Sequence, residues 1–214
     1  LNVDRKTAEI TLKLLPENST YSDISWKCVR RNGAEIALAE IVQDGNKVTV
    51  TALGDGEFIA RAFVNNGAGN AQVSADVNFT VTGLGEATKD AYAFIPANVL
   101  DSSNMTVNLV EDGAIGNFQG RTVMTYDNVD FGKTGTEAII LHIGTCFDMP
   151  VEIWDGTPEN GTLIERVMFH DNKHWCGFVP EEIPLSQRIK GIHTISIVID
   201  TRVTFGGFGF AAIN

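Results

Sequence analysis

Residues 73–81 read Val73-Ser74-Ala75-Asp76-Val77-Asn78-Phe79-Thr80-Val81, with an apolar side chain at every second position. Successive side chains of an extended strand point to opposite faces, so a period of two describes a strand with one face buried. Working outward, the same period appears at Ile10, Leu12 and Leu14, at Ile24, Trp26 and Cys28, at Val48, Val50 and Ala52, and at Phe58, Ala60, Ala62 and Val64. Asp44-Gly45-Asn46, Gly54-Asp55-Gly56 and Asn65-Asn66-Gly67 separate these runs and supply the backbone freedom and side-chain caps of tight turns. No window of this part makes an amphipathic helix, and short strands joined by short turns imply a sandwich.

The alternation breaks at Thr82-Gly83-Leu84-Gly85-Glu86-Ala87-Thr88 and resumes beyond it. Strands are expected at Met105–Leu109, Arg121–Tyr126, Glu137–Ile143, Val151–Trp154, Thr162–Phe169, Gly177–Pro184, His193–Asp200 and Phe205–Phe210. About eight short strands in roughly 120 residues fit a jelly roll. The expected fold is therefore all-β, two consecutive β-sandwich domains, with a first domain at 1–83, a linker at 84–90 and a second domain at 91–214.

The chain has 214 residues, 43% of them hydrophobic and 20% charged, a composition suited to globular domains with buried cores. Its 27 acidic residues outnumber 16 basic ones, for a net charge of −11. That balance repels a phosphate backbone, so neither nucleic acid nor an anionic membrane is an expected partner. No run of about 18 apolar residues exists to insert into a membrane. Three cysteines, Cys28, Cys146 and Cys176, are too few for a disulfide framework. An even number of strand reversals separates Cys146 from Cys176, which places both at one end of the second sandwich, where they could pair.

Two resemblances refine this reading. Ile24-Ser25-Trp26, then Gly45 through Glu57 and the Ala-rich strand ending in Asn65-Asn66-Gly67, resemble bacterial Ig-like domains. That resemblance implies a spacer or stalk, with Trp26 in its core. Tyr126-Asp127-Asn128-Val129-Asp130-Phe131-Gly132, Val151-Glu152-Ile153-Trp154-Asp155-Gly156, Trp175 with Phe178, Ile183-Pro184-Leu185, Gly191-Ile192-His193 and the Phe-rich ending, in that order, resemble the family 6 carbohydrate-binding modules.

The second resemblance implies a jelly roll whose loop end grips a sugar ring between two aromatic side chains, here Trp175 and Tyr126. The apolar C–H face of a pyranose stacks on the negative face of an aromatic ring while polar neighbours read its hydroxyls. Phe131 falls where some members carry a second-site aromatic, and is equally readable as core. The family's C-terminal Asn and calcium-binding Asp fall on Thr204 and Gly206, and Ile95-Pro96-Ala97 replaces its acidic start. Calcium favours six to eight oxygen ligands including carboxylates, so no calcium, and no other cofactor, is expected.

Candidates for other chemistry are weak. His170, His174 and Cys176 could ligate a metal, but they flank a turn and lack the helical spacing and the glutamate of zinc proteases. The pairs Glu181-Glu182, Asp127 with Asp130, and Glu111-Asp112 are adjacent or turn-located acids, unlike the separated carboxylates of a glycosidase cleft. No catalytic residue is therefore assigned. The domain order resembles the C-terminal region of family 2 glycoside hydrolases, β-galactosidases in particular. It implies a non-catalytic ancillary piece of an extracellular or cell-surface bacterial enzyme, whose partners are an oligo- or polysaccharide and the catalytic domain of the parent chain. The rival expectation is a pair of structural sandwiches that pack on the parent enzyme or the cell surface without binding sugar.

Overall fold

The computed structural model describes residues 1–64, 73–110, 113–116, 118, 120–173, 178–200 and 202–213. The chain forms two compact units, Leu1–Ala87 and Thr88–Asn214. Apart from one 3-10 turn at Ala97–Val99, the regular structure of the described residues is all β.

In the first unit the strands are β1 (Thr7–Thr11), β2 (Ile24–Val29), β3 (Ala39–Asp44), β4 (Lys47–Ala52), β5 (Gly56–Val64) and β6 (Ser74–Val81). They make two three-stranded antiparallel sheets, ordered β1-β4-β3 and β2-β5-β6. Gly45, at φ 58°, turns the two-residue loop that lets Asp44 pair with Lys47 between β3 and β4. β3 carries only a faint alternation, with Ala39 and Ile41 half-buried and Glu40 and Val42 exposed, and it is the one strand here that periodicity did not reveal. Val50, Ala52, Phe58, Ala60 and Val81 form the buried core, with Trp26, Cys28, Ile41 and Phe79 half-buried around it. Burial pushes the Cys28 thiol up to about 11.

The second unit comprises β7 (Lys89–Asp90), β8 (Ile95–Pro96), β9 (Ser102–Ser103), β10 (Asn108–Leu109), β11 (Ile115–Gly116), β12 (Thr122–Asp130), β13 (Thr136–Gly144), β14 (Met149–Asp155), β15 (Thr162–Phe169), β16 (Val179–Ile189), β17 (Ile192–Ile199) and β18 (Thr204–Phe210). One sheet runs β10-β11-β18-β13-β16, with β8 beside β18; the other runs β15-β14-β17-β12-β7, with β9 beside β12. From β12 to β18 the chain changes sheet at nearly every step, as a jelly roll does. The inward faces of both sheets meet in one core holding Ile139, Leu141, Ile143, Val151, Ile153, Ile195, Ile197, Phe205, Phe208 and Phe210. Each such side chain contributes about 1.5–3 kcal/mol on burial.

Most of residues 84–90 is structured. Leu84 N donates to Asp55 Oδ1 at 2.8 Å and Asp55 N to Gly85 O at 2.7 Å, while Lys89 and Asp90 pair in parallel with Val129 and Asp130. The division between the units falls at Ala87 and Thr88.

Candidate functional site

Trp175 lies outside the described residues, as do His174 and Cys176; the chain up to Lys173 is described. After β15, Asp171 N donates to Asp148 Oδ1 at 2.9 Å and His170 Nδ1 faces Asp148 Oδ2 at 3.3 Å. The Asp171 N–H, seconded by His170, holds the Asp148 carboxyl below its ordinary range. Asn172 accepts from Thr145 N at 3.0 Å and donates through Nδ2 to Ile143 O at 2.8 Å. Lys173, at φ 59°, donates its N–H to Asp171 Oδ1 at 2.7 Å. These bonds fasten residues 170–173 to β13 and the β13–β14 connection, which also holds the half-buried free thiol of Cys146.

Tyr126 is not a second stacking platform. Its ring is 0% exposed, its hydroxyl donates to Ala97 O at 2.7 Å, and it packs edge-on against Phe208 at 4.8 Å between centroids. Burial raises its phenol pKa well above the ordinary value. The cause is strand parity: along β12, Met124 and Tyr126 share the inward face. An irregularity between Tyr126 and Val129, where Asn128 has φ 58°, resets the phase so that Val129 and Phe131 also turn inward. Phe131 is a core residue too.

At β18, Gly206 stands beneath the ring of Phe178. A Cβ at 206 would meet three of its ring carbons at 3.0–3.1 Å. Ile95 is buried, and the Ala97 carbonyl already accepts from Tyr126. The calcium implied by the resemblance therefore does not fit these residues. No trio of His, Cys, Asp or Glu among the described residues could hold a metal ion.

The sequence motifs passed over one pair. Glu152 and Trp154 stand two apart on β14 and share the face turned away from the core. Trp154 Nε1 donates to Glu152 Oε2 at 3.0 Å, and Arg121 Nη2 donates to the same oxygen at 2.7 Å. Arg121, then Trp154 and Arg166, hold the Glu152 carboxyl below its ordinary range. Thr125 and Ser196 beside Trp154 are buried and bond to each other at 3.1 Å. A half-buried indole held by a carboxylate is a second possible stacking surface. Its signal was the alternation of Glu152 and Trp154 with buried Val151 and Ile153.

The acid pairs offer no cleft. Asp127 Oδ1 accepts from Thr194 Oγ1 at 2.8 Å and Asp130 Oδ1 from Gly132 N at 2.8 Å, while Glu181 and Glu182 are exposed on β16. Glu111 and Asp112 lie outside the described residues. His193 bridges Asp155 Oδ1 at 2.8 Å and the Lys190 carbonyl at 2.6 Å. Burial opposes its charge, but these two acceptors prevail and its pKa is raised.

No family model and no curated protein matches the chain. Solved structures do. A family 6 carbohydrate-binding module dissected by crystallography and titration calorimetry is 24% identical at a TM-score of 0.53. The match covers 98% of that module and 59% of this chain, the share that the second unit occupies. The second unit has the fold of the family 6 carbohydrate-binding modules. A module of this fold from Clostridium stercorarium, solved with cellobiose, is 23% identical at a TM-score of 0.53 and is covered to 98%. A family 43 arabinoxylan arabinofuranohydrolase from Bacillus subtilis is 12% identical at a TM-score of 0.53. The match spans 82% of this chain but only 40% of the hydrolase.

Proposed function

We propose that the second unit is a non-catalytic carbohydrate-binding module and that Trp175 is its principal stacking platform. The observation that carries this reading is the jelly roll itself, whose neighbours include modules solved with cellobiose and with xylose. The bonds of Asp171 and Asn172 fix the chain just before the described segment ends at Lys173, and an aromatic presented from a fixed anchor loses little ordering entropy on binding a pyranose face. The first unit is read as an Ig-like spacer. The whole is read as an accessory region of a secreted or cell-surface bacterial glycoside hydrolase, of β-galactosidase type, which raises the local substrate concentration near its catalytic domain.

The second reading is a structural role without sugar binding. The burial of Tyr126 and the cover over Gly206 favour it, since two positions that serve recognition or metal binding in the resembling family carry neither here. A glycan array probed with the intact chain, with Trp175→Ala and with Trp154→Ala separates the two. Binding lost in Trp175→Ala supports the loop-end site, and binding lost only in Trp154→Ala moves the site to the sheet face. Absence of binding by the wild-type chain across the array supports the structural role.

A further inference from the structure

At the end of β13 opposite the β13–β14 connection, a recess of about 210 Å³ is lined by Tyr92, Phe131, Gly132, Lys133, Thr134, Ala212 and Ile213. Its walls are held in place. Tyr92 shares its one hydroxyl proton between two carbonyls, Phe131 O and Gly135 O, both at 2.9 Å. The turn carrying them is closed by Gly135 N to Phe131 O at 3.2 Å and tied to the β16–β17 turn by Phe131 N to Gly191 O and Gly191 N to Gly132 O, both at 2.8 Å.

With its one hydroxyl proton committed, Tyr92 faces a ligand chiefly with its ring; the residue is 39% exposed although fixed at its tip. A rigid, partly exposed aromatic face beside an apolar wall of Ala212 and Ile213 is a stacking surface. Lys133 and Thr134, both exposed, add an ammonium and a hydroxyl at the same rim. Asp90 and Asp130 are bonded to two residues of its lining, each accepting a backbone N–H, from Tyr92 at 2.9 Å and from Gly132 at 2.8 Å. Two carboxylates against one ammonium disfavour an anionic ligand. The volume lies below the roughly 300–1,000 Å³ of clefts for drug-sized ligands, so the recess suits one ring rather than a chain.

We propose that this recess is a second carbohydrate site that takes a single neutral pyranose, stacked on Tyr92 with its hydroxyls bonded to Lys133 and Thr134. The proposal rests on the reading of this unit as a carbohydrate-binding module. It adds a site distinct from the one proposed around Trp175, so that one module could engage two sugar ends and gain avidity from their linkage.

The test is a titration of the intact, isotopically labelled chain with xylose and with cellobiose, followed by amide NMR. Saturable shifts are expected at Tyr92 and at residues 131–134. They should persist in Trp175→Ala, weaken about fivefold or more in the surface variant Lys133→Ala/Thr134→Ala, and vanish in Tyr92→Leu. Shifts at 131–134 that survive unchanged in the Lys133/Thr134 variant would overturn the recess as a site, as would their loss in Trp175→Ala. Saturable shifts confined to the Trp175 end would overturn the recess while sparing the proposed function. Silence at both ends with these probes, joined to a blank array, removes both.

Discussion

The two units use the same alternation of apolar and polar residues and arrive at very different interiors. In the first, two sheets of three strands close, among the described residues, over one cluster of five buried side chains, and Trp26 and Phe79 stay half-buried at its margin. In the second, longer strands in wider sheets close over a cluster of 28 buried residues among those described, including Tyr126 and six phenylalanines. The difference teaches that alternation specifies a strand with one wet face but not how much its dry face is worth. That depends on how many neighbours a sheet supplies and on whether large side chains meet across the sandwich. The second unit is accordingly the one expected to hold a fixed binding surface.

The largest expected effect tests that contrast at Tyr126. Tyr126→Ala removes a fully buried ring and its hydrogen bond to Ala97, and should cost about 3–5 kcal/mol. Differential scanning calorimetry should show the second unit's transition collapsing while the first unit's is unmoved. A variant that melts normally but loses sugar binding would restore Tyr126 as a contact residue. Phe58→Ala makes the matching cut in the first unit. Its smaller, half-open core can relax around the gap, so the loss should sit at the low end, about 3 kcal/mol, and be confined to the first unit's transition. An equal or greater loss than for Tyr126→Ala would show that the first core is as tightly packed as the second.

Trp175→Ala should leave both transitions in place and remove about 1–3 kcal/mol of glycan binding by titration calorimetry. A melting point far below wild type would instead make Trp175 a packing residue. A smaller effect comes from His193, whose pKa is raised by Asp155 and the Lys190 carbonyl. A group with a raised folded pKa contributes stability that is fully present below its unfolded value, about 6.5, and lost as pH rises through the folded one. The second unit's melting point should therefore fall relative to that of His193→Asn as pH rises from about 5 to 8, with no such drift in the first. Equal drift in wild type and variant would remove His193 from the account. The smallest expected effect is none: EDTA and added calcium should leave both transitions where they are. A melting point that drops in EDTA and returns with calcium would show that Phe178 over Gly206 does not close the site.

Much of the fold was legible in the residues. β15 was expected over Thr162–Phe169 and lies there, and β17 and β18 begin within a residue of their expected starts. Residues 105–109 shrank to the two-residue β10, and β3 went unseen because Ala39 and Ile41 alternate too weakly against polar neighbours. The site was less legible. The sequence offers Tyr126 as a contact residue, but it shares its parity with Met124, and parity says only that the two are on one face, not which face. The Glu152 and Trp154 pair was visible in β14, but its partner Arg121 lies 31 residues away and meets it only across the sheet.

The sequence by itself determined the class of the fold, because a period of two and turn-forming glycines are local properties that each strand states alone. It also determined which side chains share a face within each uninterrupted run, though not across the irregularity between Tyr126 and Val129. Which face became the core was decided only by tertiary structure, as were the covering of Gly206 by Phe178 and the gathering of Tyr92, Lys133 and Ile213 around one recess. Those outcomes depend on which strands end up adjacent, and adjacency in a jelly roll joins residues that are dozens of positions apart along the chain.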